Sequence, residues 1–206
     1  MNKPSLTILL ASFAVACAPS LGEGADAGAD DAGEVNPENG PNVEHLEQEE
    51  GGAWLTRVDA TSDEDWVYLD LATGTQLEVD DPMEDLDWDI AFLRFHVKIN
   101  GGISGMADAE AARLDGADFD TLEQAPVDGY RTDEIDGDDD DEHPDYAIRD
   151  WYDYNIMTHI LTPANAVYVL RIGDTGDHYR IGFQNYYDDA GTSGYQTFLW
   201  SPIAGD

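Results

Sequence analysis

The sequence predicts a single antiparallel all-β domain with one short helix, and three observations point to it. From Ala53 onward, aromatic and β-branched residues gather in short runs. Gly, Asp, Asn and Pro separate those runs, drawing on 20 Gly and 9 Pro in 206 residues. No apolar stretch of transmembrane type follows the N-terminal one. Short strands between turn residues are the expected reading of such a pattern.

In chain order, Trp54 to Val58, Trp66 to Leu69, Gln76 to Val79 and Trp88 to Ile99 each read as a strand. In the last of these, Trp88, Ile90 and Phe92 fall on one face, with Ala91, Leu93, Phe95, Val97 and Ile99 on the other. Both faces therefore begin apolar, as in a strand central to a packed core. Asn100-Gly101-Gly102 then supplies the positive φ angles that a tight reversal requires. Met106 to Leu114 is Ala-rich and reads as the one short helix. Ala166 to Ile172, His178 to Tyr187 and Tyr195 to Trp200 complete the strands, and Gly191-Thr192-Ser193-Gly194 makes the reversal before the last. About 150 residues suffice for a sizeable core.

What precedes the domain reads as an address and a spacer. Lys3, the apolar run Leu6 to Ala16 and then Cys17 have the layout of a bacterial secretory signal over residues 1–17. The apolar run is too short to span a bilayer of roughly 30 Å. Ala14-Val15-Ala16-Cys17 resembles a lipobox, in which the Cys thiol is acylated, for instance with palmitate. Its commonest form has Leu where Ala14 stands. The other reading is ordinary cleavage near Ala16 or Ala18, which leaves a free protein. Ala18 after the Cys resembles the pattern of outer-membrane lipoproteins. Residues 18–52 hold no Lys or Arg and are rich in Gly, Asp and Glu, so they read as a disordered acidic linker to the domain at 53–206.

Charge excludes several functions. The chain has 45 acidic and 9 basic residues, a formal net charge of −36. A surface so negative does not suit DNA, RNA or anionic lipid headgroups. One Cys rules out an internal disulfide. The acidic run Asp133 to Glu142 misses the EF-hand spacing, because Gly137 follows only one correctly placed Asp, and reads as a solvated loop rather than a calcium site. No Gly-x-Ser-x-Gly, Walker-type or His-Glu-x-x-His motif occurs, so the sequence makes no case for an enzyme.

Two stretches are more specific than composition. The first runs Trp88-Asp89-Ile90-Ala91-Phe92 through Asn100-Gly101-Gly102-Ile103-Ser104-Gly105. The second runs Tyr168-Val169-Leu170-Arg171-Ile172-Gly173 and then Tyr179 through Tyr186-Tyr187-Asp188-Asp189-Ala190-Gly191-Thr192-Ser193-Gly194. Together they resemble the HmuY family of bacterial lipoproteins, over roughly Ala53 to Pro202 and in the same order. The resemblance implies an all-β fold with one short helix. In the best-known members it implies a haem-binding surface lipoprotein working with an outer-membrane haem receptor. Haem there is held by two axial side chains from loops at one edge of the fold. Those ligands vary among members and lie outside both signatures.

Candidate ligands must then come from residue chemistry, since haem iron takes imidazole or thioether. His159 leads, set in the aromatic-rich segment Trp151 to Pro163, with Met157 two residues earlier and His143 beside Pro144 at the end of the acidic loop. Each also reads as an ordinary surface side chain near a turn. His178, beside Asp177, reads as structural or exposed. Arg94, His96 and Lys98 alternate along their strand as a cationic stripe for a carboxylated ligand such as haem propionates. The competing reading is cross-strand pairing with the abundant carboxylates. The expected function is therefore an exported, lipid-anchored binding protein for haem or a similar ligand at the cell envelope. The alternative is a structural or interaction lipoprotein without haem, which contacts other proteins or calcium-linked surface polymers.

Overall fold

The computed structural model describes residues 37–49, 51–137, 143–173 and 175–205. The expected signal peptide, Cys17, most of the expected linker and residues 138–142 of the acidic run lie outside the described residues. Within them thirteen strands follow in chain order: β1 (Val43–Gln48), β2 (Trp54–Asp59), β3 (Val67–Asp70), β4 (Thr75–Leu77), β5 (Ile90–Leu93), β6 (His96–Ile99), β7 (Glu110–Asp115), β8 (Tyr130–Arg131), β9 (Tyr152–Asn155), β10 (Ile160–Pro163), β11 (Ala166–Arg171), β12 (His178–Tyr187) and β13 (Ser193–Pro202). A seven-stranded sheet has the order β1-β2-β13-β12-β11-β7-β8, a four-stranded sheet β4-β3-β5-β6, and β9 and β10 form a separate hairpin. All of these strand pairs are antiparallel, as the sequence predicts.

The two larger sheets share one core. Phe92 on β5 stacks on Phe198 of β13 with ring centres 5.1 Å apart, and both rings are fully buried. Val67, Leu69, Ile90, Val97 and Ile99 from the small sheet join Val58, Tyr168, Leu170, Ile181 and Trp200 from the large one. Burial of this apolar surface is the main force holding the sheets together. A buried polar contact is satisfied within it, since Trp200 Nε1 donates to Thr56 Oγ1 at 2.8 Å.

Three expectations are corrected. The helix expected over Met106 to Leu114 is absent, and no helix occurs among the described residues. Residues 110–115 are instead β7, paired with β11 on one side and β8 on the other. The backbone just before β7 lies close against Gly101, where a Cβ would come within 2.0 Å of Ala109 O, and Ala109, Ala111 and Ala112 are buried. Tertiary pairing overrides the helix propensity of a short Ala-rich run.

The long strand expected over Trp88 to Ile99 is a hairpin, in which Phe92 faces Val97 and Leu93 faces His96. Its two-residue turn carries Arg94 at φ 51°, a conformation that Gly or Asn usually takes. Arg94 is held there by its own side chain, which donates to Thr61 O at 3.0 Å and Ser193 Oγ at 3.3 Å. Gln196 Nε2 donates to its carbonyl at 2.6 Å.

Finally, the fold begins before residue 53. Residues 43–48 pair with β2 as the edge strand, and Val43 is buried in the core.

The glycine-rich reversals hold as expected. Gly102 takes φ 62° and packs against Asp133 O, which a Cβ would approach to 1.9 Å. Gly191 and Gly194 take φ 81° and 100° around the start of β13.

Candidate functional site

The hairpin of β5 and β6 gives the small sheet two different faces. Phe92, Val97, Ile90 and Ile99 point into the shared core. Ala91, Lys98, Leu93 and His96 lie on the opposite face, because neighbouring side chains alternate. On that outer face Tyr68, Trp88 and Ala91 form a second apolar cluster with Trp66 packed against it. Lys98 is buried in this cluster, its ammonium 4.3 Å from the centre of the Trp66 ring, 4.8 Å from Tyr68 and 5.2 Å from Trp88. It donates to the Tyr68 hydroxyl at 3.0 Å. Burial pushes its amine down to about 8, and the nearby Asp133 opposes that shift.

His96 stands at the start of the same strand, where the cluster gives way to a cleft of about 410 Å³. That volume is in the range of small-molecule sites. His143 enters the cleft from the far side, and the two imidazole centres are 4.0 Å apart with planes inclined by 40°. Aromatic rings surround the pair: Phe95 lies 4.2 Å and Tyr146 5.7 Å from His96, centre to centre, and Tyr152 lies 5.8 Å from Phe95. Trp151 is fixed beneath by donating from Nε1 to Phe95 O at 2.8 Å. The remaining lining is mostly charged, with Asp136, Asp145 and Asp150 against Arg149. Arg149 is bonded to Asp145 and lies 3.9 Å from Asp150 Oδ2.

Two imidazoles with an aromatic surround suit an iron-bearing planar ligand. The test of fit lies in the spacing. An imidazole on each side of one metal, with each metal–nitrogen bond about 2 Å long, holds the ring centres further apart than the 4.0 Å seen here. The donor chemistry fits haem, then, provided that the two rings separate to admit it. Among the described residues, no group of three or more His, Cys, Asp or Glu side chains could hold a bare metal ion.

The expected candidates divide between this cleft and other places. His143 is in it, and His96 is in it too, but as a ring facing another imidazole rather than as part of a stripe. The stripe itself is broken up. Lys98 is enclosed by aromatic rings, and Arg94 turns towards Thr61, Ser193 and, at 3.4 Å, Asp63. His159 and Met157 lie in the exposed turn of the β9–β10 hairpin, where neither lines the cleft. His159 is bonded to the Tyr154 hydroxyl, and Met157 is 85% exposed. His178 is buried, as the structural reading had it. Tyr146, Arg149 and Tyr152 are cleft residues with no sequence signal beyond their place near the acidic run and the aromatic segment.

The family model described as HmuY protein matches residues 62–200. A crystal structure of a candidate lipoprotein from Bacteroides fragilis is 24% identical, with a TM-score of 0.54, covering 77% of this chain and 93% of that one. The apo HmuY analogue of Tannerella forsythia is 18% identical, with a TM-score of 0.57 and coverage of 72% and 94%. A protein from Bacteroides vulgatus, described as a candidate HmuY-like haem-binding protein, is 21% identical, with a TM-score of 0.51 and coverage of 72% and 90%. At these identities the likeness is one of fold. No curated protein matches the chain.

Proposed function

Because the chain belongs to the HmuY family, we propose that it is an exported, lipid-anchored binding protein of the cell envelope that holds haem in the cleft between His96 and His143. The observation that carries this reading is the meeting of two imidazoles from distant parts of the chain, 4.0 Å apart, inside a cleft edged by Phe95, Tyr146 and Tyr152. Neutral imidazoles are iron ligands, and the aromatic rings offer flat apolar surface to a porphyrin. Arg149 is the cleft's cation for a propionate. Its partners Asp145 and Asp150 compete for it, so the propionates would lie towards solvent, where salt screens the acidic surface over about 8–10 Å.

Binding, not catalysis, is the role this supports. Acylation at Cys17 would hold the protein at an outer membrane, and an outer-membrane haem receptor would be its partner in uptake. Radioactive palmitate that fails to label Cys17 would remove the anchor from this proposal.

Titration of the full chain with haemin tests the site. A saturating change in the Soret band is expected. His96→Ala and His143→Ala should each weaken binding about tenfold or more, some 1.4 kcal/mol, and change the band. His159→Ala and Met157→Ala should leave it as in the native protein. No spectral change in the native protein sinks the haem reading and leaves an interaction lipoprotein on the same fold. Dependence on His159 alone would move the site to the β9–β10 turn.

A further inference from the structure

We infer that Asp133 is a positioning residue for the two-histidine cleft: its single buried carboxylate ties the strand carrying His96 to the segment carrying His143. This rests on the cleft being the ligand site, and it adds a residue that touches neither imidazole. Asp133 is 1% exposed. Its Oδ2 accepts the backbone N–H of Ile99, the last residue of β6, at 3.0 Å. Its Oδ1 accepts the N–H of Ala147 at 2.8 Å. One carboxyl group thus joins two backbones that no described β-ladder joins directly.

The surrounding bonds fix the carboxylate itself. Ser104 donates a side-chain hydrogen bond to it. The Asp133 carbonyl accepts the Ile103 N–H at 3.0 Å, just past the tight turn at Gly102. On the other side, Glu134 and Asp145 exchange N–H···O bonds of 3.0 and 3.1 Å, closing an isolated antiparallel bridge next to His143 and Pro144. Pro144 in turn biases His143 towards extended backbone. From Ile99 to His96 is one short strand, and from Ala147 to His143 one short turn. The spacing of the two backbone segments that carry the imidazoles is therefore set at Asp133, which leaves the rings free to part by side-chain rotation. Such supporting residues matter because they orient ligands that they do not replace.

Two readouts test this, one without haem. In the ligand-free native protein, NMR should show a strong cross-peak between the ring protons of His96 and His143. The cross-peak between Phe92 and Phe198 serves as a control for the core. Asp133→Asn keeps the shape but sets an NH2 group against one of the two N–H donors. It should weaken the histidine cross-peak several-fold, speed amide exchange at Ile99 and Ala147 together, and leave the phenylalanine cross-peak unchanged. With haemin, the same variant should bind about 10- to 100-fold more weakly and give a Soret band like that of His143→Ala. Should Asp133→Asn lose the core cross-peak, Ala147→Pro removes one tether alone by deleting its N–H, and must produce the same histidine effect.

An unchanged histidine cross-peak in a folded variant overturns the inference, as does its absence from the native protein. Loss of the cross-peak in the variant, alongside a native protein that never binds haemin, leaves the positioning role standing and ends the haem reading.

Discussion

Lys98 places its ammonium 4.3 Å from the centre of the Trp66 ring and 3.0 Å from the Tyr68 hydroxyl, in a chain with 45 carboxylates to choose from. The aromatic faces supply the negative potential that a buried cation needs, and the aliphatic stem fills the space below them. Lys98 is thereby a structural element of the outer face of the small sheet.

Lys98→Ala should lose both contributions. A cavity under three aromatic rings, together with the lost cation–π contacts, should cost about 2–4 kcal/mol. Lys98→Met keeps most of the stem and should cost roughly half as much. Urea unfolding followed by Trp fluorescence ranks the two, and equal losses would show that the stem contributes nothing.

Arg94 joins a strained backbone to a well-bonded side chain. Arg94→Ala keeps φ positive at a residue with a Cβ and removes the bonds to Thr61 and Ser193, so it should destabilise by about 1–3 kcal/mol. Arg94→Gly loses the same bonds but relieves the backbone, and should recover about 1 kcal/mol of that loss. Because Arg94 does not line the cleft, haemin affinity at 25 °C should stay within about twofold in both variants. A tenfold loss would restore Arg94 as a propionate contact.

Asp133 makes stability depend on pH in a defined direction. Burial raises its carboxyl from the ordinary 3.8 to about 6, against the hydrogen bonds from Ala147, Ser104 and Ile99 and against the Lys98 charge. An acid shifted upward holds its proton more readily in the folded chain than in the unfolded one. Its contribution to stability is complete below 3.8 and is lost as pH rises through about 6. Between pH 6 and pH 5 the native protein should therefore gain about 1 kcal/mol relative to Asp133→Asn. Paired urea titrations at several pH values measure this difference and cancel the titration of the other carboxylates. A constant difference would mean that Asp133 titrates normally.

How much of this could be read from sequence depends on the range of the interactions. Gly102 was legible because its φ of 62° is a local demand, which Asn-Gly-Gly announces. The apolar runs of β2, β3, β11, β12 and β13 were legible for the same reason. Arg94 was not, since its turn lacks Gly, Asn or Asp and is held by Thr61 and Ser193 from elsewhere in the chain. Ala109 to Ala112 carried a helical signal that was simply outweighed by β11 and β8. Val43 was hidden in an acidic, Gly- and Pro-rich stretch whose composition dominated its single core side chain. The cleft was legible only in part: His143 stood out beside Pro144, but nothing local links it to His96. Two buried hydrogen bonds at Asp133 make that link, and Asp133 looked like one more acid in an acidic run.

The order of the large sheet bears on when the fold can form. Its second strand has β13 as a neighbour, pairing Trp54 with Trp200, and Phe92 waits for Phe198 to cover it. A chain emerging from the ribosome therefore leaves one edge of β2 and the face of Phe92 without their partners until residues 193–202 are made. Contacts so distant along the chain slow folding, and the core between the two larger sheets cannot close before β13 is available. A translocation pore that accepts only unfolded chains would find this topology easy cargo.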